Sequence, residues 1–235
     1  MMNAIILAAG LGSRLKELTK NKHKALFEIE GVPNIERTIN FLHEINIKEI
    51  YIITGYLSEQ FEYLKDKFNV ELIKNNNYDK LNNLSSFSLA LPYFADSFII
   101  DADVVLLKNV LHIPTTSTYF TTIRKKTDKK EWVIKKHNNR VIGVEICNKV
   151  ESSLLGISFF VKKDAEIIKK HIESLGEESF LDPKKYYDNA ILDTLYNINM
   201  GFIDINNNLV AEIDDMDDLN ELNFKIKALK LDKFQ

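Results

Sequence analysis

The chain has 235 residues, of which 45% are hydrophobic and 28% charged, and its formal net charge is −3. This length and composition suit one globular domain or at most two small ones, and the negative net charge argues against a general nucleic-acid binder. The single cysteine, Cys147, excludes an internal disulfide and fits a reducing, cytoplasmic compartment.

The N-terminal segment is apolar, but no basic residues precede its apolar run, and Gly10 and Gly12 interrupt it. It is therefore predicted to be neither a secretory signal nor a membrane span. No other apolar stretch approaches the length of a bilayer crossing, so no membrane insertion is expected. The sequence leaves open the choice between a monomer and a homodimer.

The first half of the chain alternates short apolar runs with amphipathic stretches. Apolar residues recur at helical spacing over 32–45, whereas 50–53 is a continuous apolar run typical of a buried strand. In chain order, this half has predicted strands at 4–7, 50–53, 70–73 and 98–100, and predicted helices at 32–45, 58–68 and 82–93. Strands that alternate with helices predict a mostly parallel sheet with helices on both faces.

The second half begins with strands that have no helices between them, which indicates an antiparallel section. Its predicted strands are 118–124, 132–136, 141–146, 155–161 and 201–205, and its predicted helices are 164–175, 186–196 and 217–229. No internal repeat and no linker-like stretch interrupts the chain. We therefore predict one α/β domain over 1–235, with a Rossmann-like, mixed and mostly parallel sheet and a small antiparallel section.

A glycine-rich segment directly follows the first predicted strand and reads Leu7-Ala8-Ala9-Gly10-Leu11-Gly12-Ser13-Arg14. Ligands of parallel α/β sheets bind at the carboxyl ends of the strands. Small residues allow backbone N–H groups to approach a phosphate closely, and Arg14 adds a guanidinium that donates to phosphate oxygens. The segment therefore predicts a phosphate-binding loop.

Two commoner phosphate loops do not fit this segment. A dinucleotide-binding fingerprint has a third glycine where this chain has Leu15, and an acidic residue after the second strand, where Thr54 stands. These differences disfavour a dehydrogenase. A Walker A loop has Gly-Lys-Ser/Thr after four residues, and no such triplet follows Gly10.

The segment resembles the signature of the sugar-phosphate nucleotidyltransferases, Ala-Ala-Gly-x-Gly-x-Arg followed by a proline and then by Pro-Lys. Lys24 matches the lysine of that signature, whereas Glu17 and His23 stand where its prolines usually occur, which is expected to loosen the loop. Within this family the chain is most similar, over nearly its whole length, to the bacterial CTP:phosphocholine cytidylyltransferases. The shared landmarks are 4–15, Gly55-Tyr56-Leu57, Asn82-Asn83, Ile100-Asp101-Ala102-Asp103, Glu131-Trp132 and Tyr187-Asp188-Asn189.

The resemblance implies an enzyme that uses Mg²⁺ and CTP to activate phosphocholine or a similar small amine phosphate, with CDP-choline and pyrophosphate as products. It implies four catalytic residues, Arg14, Lys24, Asp103 and Asp188, and makes the two aspartates the metal ligands. Asp101 lies on the same side of an extended chain as Asp103 and is implied as a supporting residue that contacts the nucleotide.

The acidic run at 214–218 also invites a metal-site interpretation. It directly precedes the closing predicted helix, where acidic side chains complement the helix dipole. We therefore interpret the run as a helix start and not as a metal site.

The base of the nucleotide is expected to meet the loop backbone at Ala8 and Ala9, the region of Gly55, and the side chains of Asn82 and Asn83. Amide groups both donate and accept, which suits a pyrimidine edge, although the two asparagines also fit a plain helix cap.

A quaternary ammonium such as choline is bound by aromatic faces and a nearby carboxylate. Each aromatic candidate is also a candidate core residue. The candidates lie in two expected acceptor-binding insertions, at roughly 118–160 and 176–200. The candidates are Glu131, Trp132, Phe180, Tyr186 and Tyr187.

Two alternatives stay open at this point. A sugar-1-phosphate nucleotidyltransferase that uses UTP, dTTP or GTP would need a polar acceptor pocket in place of an aromatic one. A catalytically inactive, nucleotide-binding regulatory domain would have the same fold, but the presence of Arg14, Lys24, Asp103 and Asp188 argues against it.

Overall fold

Within residues 2–125 and 128–231, the part of the chain that the computed structural model describes, the apolar runs form thirteen strands and seven α-helices. The strands are β1 (Asn3–Ala8), β2 (Glu28–Ile29), β3 (Val32–Pro33), β4 (Glu49–Thr54), β5 (Glu71–Lys74), β6 (Ser97–Asp101), β7 (Val104–Leu106), β8 (Thr118–Ile123), β9 (Glu131–His137), β10 (Arg140–Cys147), β11 (Ser152–Phe160), β12 (Gly201–Ile205) and β13 (Val210–Glu212). The helices are α1 (Asn34–Glu44), α2 (Tyr63–Phe68), α3 (Asn83–Ser88), α4 (Lys162–Glu173), α5 (Glu178–Leu181), α6 (Tyr187–Leu192) and α7 (Met216–Leu231).

Nine of these strands form one mixed sheet. Its main path runs β10-β9-β11-β6-β1-β4-β5, and β8 joins β11 to β12. The strands β6, β1, β4 and β5 are mutually parallel, as are β8 and β12. Strand β11 pairs antiparallel with β6, β8 and β9, and β9 pairs antiparallel with β10. The predicted α/β fold with a mixed sheet and an antiparallel section is confirmed.

Successive side chains of β1 pack on opposite faces of the sheet. Ile6 belongs to one buried cluster with Ile39 of α1 and Leu64 of α2. Ile5 belongs to another with Phe87 of α3, and α4 and α6 contribute to the same cluster. Helices therefore cover both faces, as the alternation of strands and helices predicted.

The sheet register places the candidate residues at one edge. Leu7 at the end of β1 lies opposite Ile53 on β4 and Asp101 on β6. The loop that follows β1 and the carboxylates that follow β6 therefore emerge side by side.

A small satellite unit joins the acidic segment to this edge. Strands β7 and β13 form a two-stranded antiparallel sheet, and α7 packs on it through a cluster that contains Leu15, Val105, Ile213 and Leu222. The amide of Ile213 donates to the carbonyl of Asp103 at 3.0 Å. Residue 214 is thereby held next to the glycine-rich loop.

Several elements differ from their predicted bounds. The helix predicted over 82–93 ends at Ser88, and a 3-10 turn at Leu91–Tyr93 follows, because Pro92 lacks an N–H and cannot continue a helix. The helix predicted over 186–196 shortens to α6. Strands β2, β3, β7 and β13 were not predicted, because two or three residues are too few to show a period. Among the described residues, no helix has the length and apolar character needed to cross a membrane.

Candidate active site

The glycine-rich loop leaves β1 and turns at Gly12, which adopts a left-handed conformation with φ of +61°. A Cβ atom there would lie 3.0 Å from Cγ2 of Thr19. The Gly12 carbonyl accepts hydrogen bonds from the Thr19 hydroxyl at 3.1 Å and from the Leu15 amide at 3.0 Å. A side chain at position 12 would therefore strain the backbone and displace Thr19, which explains the need for glycine.

His23 is buried beneath this loop and supports it. Its Nδ1 accepts a hydrogen bond from the Ala25 amide at 3.1 Å, and its Nε2 donates to the Gly10 carbonyl at 3.1 Å. Burial lowers the pKa of His23 to about 4, so the imidazole is neutral near pH 7. The residue that was expected to loosen the loop instead ties the Gly10 carbonyl to the 3-10 turn Lys24–Leu26.

We expect His23→Ala to lower the free energy of unfolding by about 2–4 kcal/mol, because it removes buried volume and leaves the Gly10 carbonyl without its donor. Urea denaturation measures this loss. His137→Ala, at an exposed position at the end of β9, is the control and should change stability little. A loss below about 0.5 kcal/mol in the His23 variant would contradict a supporting role.

Lys24 and Arg14 meet two carboxylates beside the loop. Lys24 Nζ lies 2.7 Å from Asp103 Oδ2 and 3.1 Å from Asp214 Oδ1, and an Arg14 guanidinium nitrogen lies 3.1 Å from Asp214 Oδ2. Burial alone would lower the pKa of Lys24, but the two aspartates outweigh it and hold that pKa above its ordinary value. Burial would raise the pKa of Asp103, but Lys24 holds it below its ordinary value. Lys24 and Asp103 are therefore both charged near pH 7.

Two further carboxyl groups, those of Asp101 and Asp188, have a raised pKa. Burial, with Asp103 and Asp188 close by, raises the pKa of Asp101 well above its usual range, and the Tyr187 hydroxyl donates to Asp101 Oδ2 at 3.3 Å. Burial also raises the pKa of Asp188 to about 7, against the opposing effect of the Tyr119 hydroxyl. Burial therefore favours the protonated forms of these two carboxyl groups, and a bound cation would stabilise their ionised forms.

Arg124 links several strands that border the cleft. Its guanidinium lies 2.8 Å from Glu212 Oε1 and 3.1 Å from Glu131 Oε2, and it donates to the Leu154 carbonyl at 2.8 Å. Burial raises the pKa of Glu212 to about 7, although Arg124 opposes the shift. The single arginine therefore ties together the end of β8 and segments of β9, β11 and β13.

Two aromatic rings stand beside these acids. The rings of Trp132 and Tyr186 lie 5.9 Å apart between centroids and are nearly perpendicular, at 87°. Tyr186 is well exposed, and both residues face the same cavity. They present aromatic surface next to carboxylates.

One cleft of about 500 Å³ unites these groups. Most of the residues predicted from the sequence line it, and they come from the loop, the ends of β1 and β6, α3, α6 and β9. These residues are Leu7, Ala8, Ala9, Gly10, Gly12, Arg14, Lys24, Asn83, Asp101, Asp103, Glu131, Trp132, Tyr186 and Asp188.

Three residues predicted to contact substrate lie behind the lining instead. Asn82 caps α3, and its amide nitrogen donates to two backbone carbonyls near α5, at 2.8 and 2.7 Å. Phe180 packs against the buried cluster that contains α3 and α6. Tyr187 is 1% exposed and packs on Phe87, with ring centroids 5.4 Å apart, so that only its hydroxyl reaches towards the cleft.

Two more predicted residues support the loop without lining the cleft. Ser13 begins the 3-10 turn Ser13–Thr19 that follows the loop. Gly55 packs directly behind Ala9, where a Cβ atom would lie 2.8 Å from the Ala9 carbonyl oxygen and 2.6 Å from Cβ of Tyr78. Only glycine at position 55 leaves room for this close approach.

Sequence reasoning missed several cleft residues, of which Asp214 bears most directly on the chemistry. The acidic run divides in two: Asp217 and Asp218 begin α7, as interpreted from the sequence, whereas Asp214 precedes the helix and faces Lys24 and Arg14. No local pattern separates the two parts, because the pairing of β13 with β7 sets the direction of residue 214. Arg124, Glu212, His23 and Ser86 also line the cleft and were missed, because contacts between distant parts of the chain bring them there.

The sequence of the chain is similar to those of known nucleotidyltransferases. Residues 4–113 match a family model described as a MobA-like NTP transferase domain. The choline-phosphate cytidylyltransferase of Haemophilus influenzae is 44% identical over 232 residues, which cover 97% of this chain and 99% of that protein. The choline-phosphate cytidylyltransferase of Streptococcus pneumoniae is 37% identical over 223 residues, which cover 94% of this chain and 96% of that protein.

A solved structure agrees with the sequence comparisons. The structure of the CTP:phosphocholine cytidylyltransferase from Streptococcus pneumoniae matches with a TM-score of 0.88 and 38% identity, over 94% of this chain and 97% of that one. Fold, identity and coverage together confirm the resemblance seen in the loop and its landmarks. The chain therefore belongs to the choline-phosphate cytidylyltransferase family of nucleotidyltransferases.

Proposed function

We propose that the protein transfers the cytidylyl group of CTP to phosphocholine, and that CDP-choline and pyrophosphate are released. The observation that supports this most strongly is the convergence of two kinds of surface in one cleft. A glycine-rich loop with Arg14 and Lys24 suits a triphosphate, and a pair of aromatic rings beside carboxylates suits a quaternary ammonium.

The phosphate end of the cleft consists of the loop and its two cations. A Cβ atom at Gly10 would meet nothing within 4 Å, so the loop backbone is open to close approach. Lys24 and Arg14 would donate charge-assisted hydrogen bonds to the β- and γ-phosphates. Asp214 contacts both cations and orients them towards the same place.

Nucleotidyltransferases of this family generally use Mg²⁺, and the acids beside the loop fit such an ion. Asp103 and Asp214 already share one cation, the Lys24 ammonium. The described residues contain no group of three or more His, Cys, Asp and Glu that could hold a metal, but Mg²⁺ is usually held by one or two carboxylates together with phosphates and water. When bound, the ion would neutralise phosphate charge and orient the α-phosphate.

The second metal ligand in this proposal is Asp214, in place of the Asp188 implied by the resemblance. Asp188 and Asp103 both raise the pKa of Asp101, so both acids lie near it. Among the described residues, Lys24 makes its ion pairs with Asp103 and Asp214, and Asp188 takes no part in them. Asp188 instead belongs with the aromatic end of the cleft.

The acceptor end would hold the choline head group against the aromatic surface of Trp132 and Tyr186. A cation over an aromatic face gains about 0.5–2 kcal/mol, and the ionised form of Asp188 adds negative charge within the same cleft. A quaternary ammonium donates no N–H hydrogen bonds, so its binding would rest on this negative charge and on the aromatic surface.

The chemical step needs little acid–base help from the protein. A phosphate monoester is largely ionised at neutral pH, so an oxygen of phosphocholine attacks the α-phosphorus of CTP directly. A new P–O bond forms to that oxygen, and the bond to the β-phosphate oxygen breaks. The protein's contribution is placement and charge: Lys24 and Arg14 hold the departing pyrophosphate, and Trp132 and Tyr186 hold the acceptor.

Acceptor binding should depend on pH through Asp188. Its pKa of about 7 means that the ionised form predominates only above pH 7, and a cationic head group prefers that form. We expect KM for phosphocholine to rise as pH falls below 7, by up to about tenfold per pH unit. The phosphate of the substrate also titrates, near pH 6. Asp188→Asn is therefore the control, because it keeps the pH dependence that comes from the phosphate and loses the one that comes from Asp188. Identical profiles for the two enzymes would contradict the assignment.

A pyrophosphate-release screen tests the proposed function directly. CTP, UTP, dTTP and GTP are each combined with phosphocholine, phosphoethanolamine and several sugar 1-phosphates in the presence of Mg²⁺. We expect the highest kcat/KM for CTP with phosphocholine, and phosphorus NMR identifies the product. A preference for a sugar 1-phosphate, or no turnover with any pair despite CTP binding, would overturn the proposal.

A further inference from the structure

The cleft has a polar wall that contains neither the phosphate cations nor the aromatic pair. It consists of Asn83 and Ser86 on α3, and the loop residues Ala8 and Ala9 line the same cleft. The triphosphate has its place at the cations, and the acceptor has its place at the rings. The nucleoside, which is attached to the α-phosphate, is therefore left with this wall.

Behind the wall lies a buried amide whose orientation is fixed. Asn75 directly follows β5 and is 2% exposed. Its Oδ1 accepts a hydrogen bond from the Asn77 amide at 2.8 Å, and its Nδ2 donates to Ser86 Oγ at 3.0 Å. Reversal of the amide would leave the Asn77 N–H without its acceptor, so the nitrogen is held on the Ser86 side.

This arrangement sets the polarity of the Ser86 hydroxyl. One of its lone pairs is used by Asn75, so its hydrogen points away from that amide. Within residues 2–125 and 128–231, Ser86 Oγ has no acceptor for this hydrogen among the hydrogen bonds formed. Ser86 is 4% exposed and lines the cleft, so the hydroxyl offers a donor to whatever lies there.

A fixed donor distinguishes the two common pyrimidines when it faces ring atom N3, and this is the contact that we assign to the wall. The ring nitrogen N3 of cytosine is an acceptor, whereas N3 of uracil carries a hydrogen and is a donor. A donor that faces N3 bonds to cytosine and opposes the N–H of uracil. A site that leaves buried polar groups unpaired discriminates far more strongly than one that merely differs in shape.

We propose that Asn75 is a positioning residue that holds the Ser86 hydroxyl as a hydrogen-bond donor and thereby selects cytosine over uracil nucleotides. The inference rests on the proposed function only in that CTP is the nucleotide used.

The test is the binding of CTP and UTP, measured by calorimetry at fixed Mg²⁺ without acceptor and at pH 8. Asn75→Asp keeps the shape of the side chain but replaces the donor by an acceptor, so Ser86 must donate to it and turn a lone pair into the cleft. We expect the ratio of the Kd for UTP to the Kd for CTP to fall at least about tenfold, the size of one hydrogen bond. Equal weakening of both nucleotides would overturn the proposal.

Two serine variants keep the test decisive if the first variant folds poorly. Ser86→Ala should weaken CTP binding about tenfold and leave UTP binding nearly unchanged. Ser88→Ala is the matched control, because Ser88 donates within α3, to the Ser85 carbonyl at 2.8 Å, and does not line the cleft. An unchanged ratio in the Ser86 variant would refute the inference. Since the readout needs no acceptor, a wild-type preference for CTP with some other acceptor would sink the proposed function and leave this inference standing.

Discussion

Asparagine in place of Asp103 is expected to lower kcat by about 10²–10³-fold while the protein stays folded. The carboxylate lies 2.7 Å from Lys24 and beside the glycine-rich loop, where the proposed reaction concentrates negative charge on phosphate oxygens. An amide of the same shape keeps the packing and loses the charge that would bind the metal–triphosphate.

The fold should tolerate this change for two reasons. Lys24 keeps its second partner, Asp214, at 3.1 Å, so its ammonium is not left buried alone. Asp103 also helps to raise the pKa of Asp101, so loss of its charge relieves a repulsion.

Steady-state kinetics and thermal melting together measure the outcome. Asp66→Asn, at an exposed position on α2, is the control for a lost surface carboxylate and should behave as wild type. A kcat within about threefold of wild type in the Asp103 variant would remove Asp103 from the chemistry.

The second large effect is a contrast between Asp214→Asn and Asp188→Asn. Asp214 is the common partner of Lys24 and Arg14, so its loss should weaken CTP binding and raise the Mg²⁺ requirement, each by about tenfold or more. Asp188 belongs with the aromatic end, so its loss should raise KM for phosphocholine by about tenfold or more, with the Kd for CTP unchanged.

Each variant serves as the control for the other, because both remove one cleft carboxylate. Calorimetry with CTP gives the nucleotide affinity, and initial rates at varied Mg²⁺ and phosphocholine separate the remaining effects. If the Mg²⁺ requirement rises in the Asp188 variant and not in the Asp214 variant, Asp188 is the second metal ligand after all.

The sequence predicted those parts of the protein that local patterns encode. The run at 4–7 is long and apolar enough to be a buried strand, and Gly10, Gly12 and Arg14 follow it at a spacing that suits phosphate. The parallel core and the place of the loop at its edge follow from the alternation of strands and helices. Asp101 and Asp103 could be located because they directly follow a strand.

The remaining features depend on contacts between distant parts of the chain. Asp214 could not be separated from the helix-start acids by sequence, because β13 has three residues and takes its register from β7. Tyr187 and Tyr186 are neighbours with the same side-chain type, yet one is in the core and the other in the cleft. Arg124 has no motif at all, and only the fold brings two glutamates to it.

The ion pair between Lys24 and Asp214 spans 190 positions of the chain. A nascent chain that has emerged from the ribosome only as far as α6 contains the glycine-rich loop and Lys24 but lacks the aspartate that orients them. The anion site can therefore assemble only after β13 has been synthesised and has paired with β7. Until then, the parallel core can form, but the partly made protein holds Lys24 with one carboxylate partner and Arg14 without its ion pair.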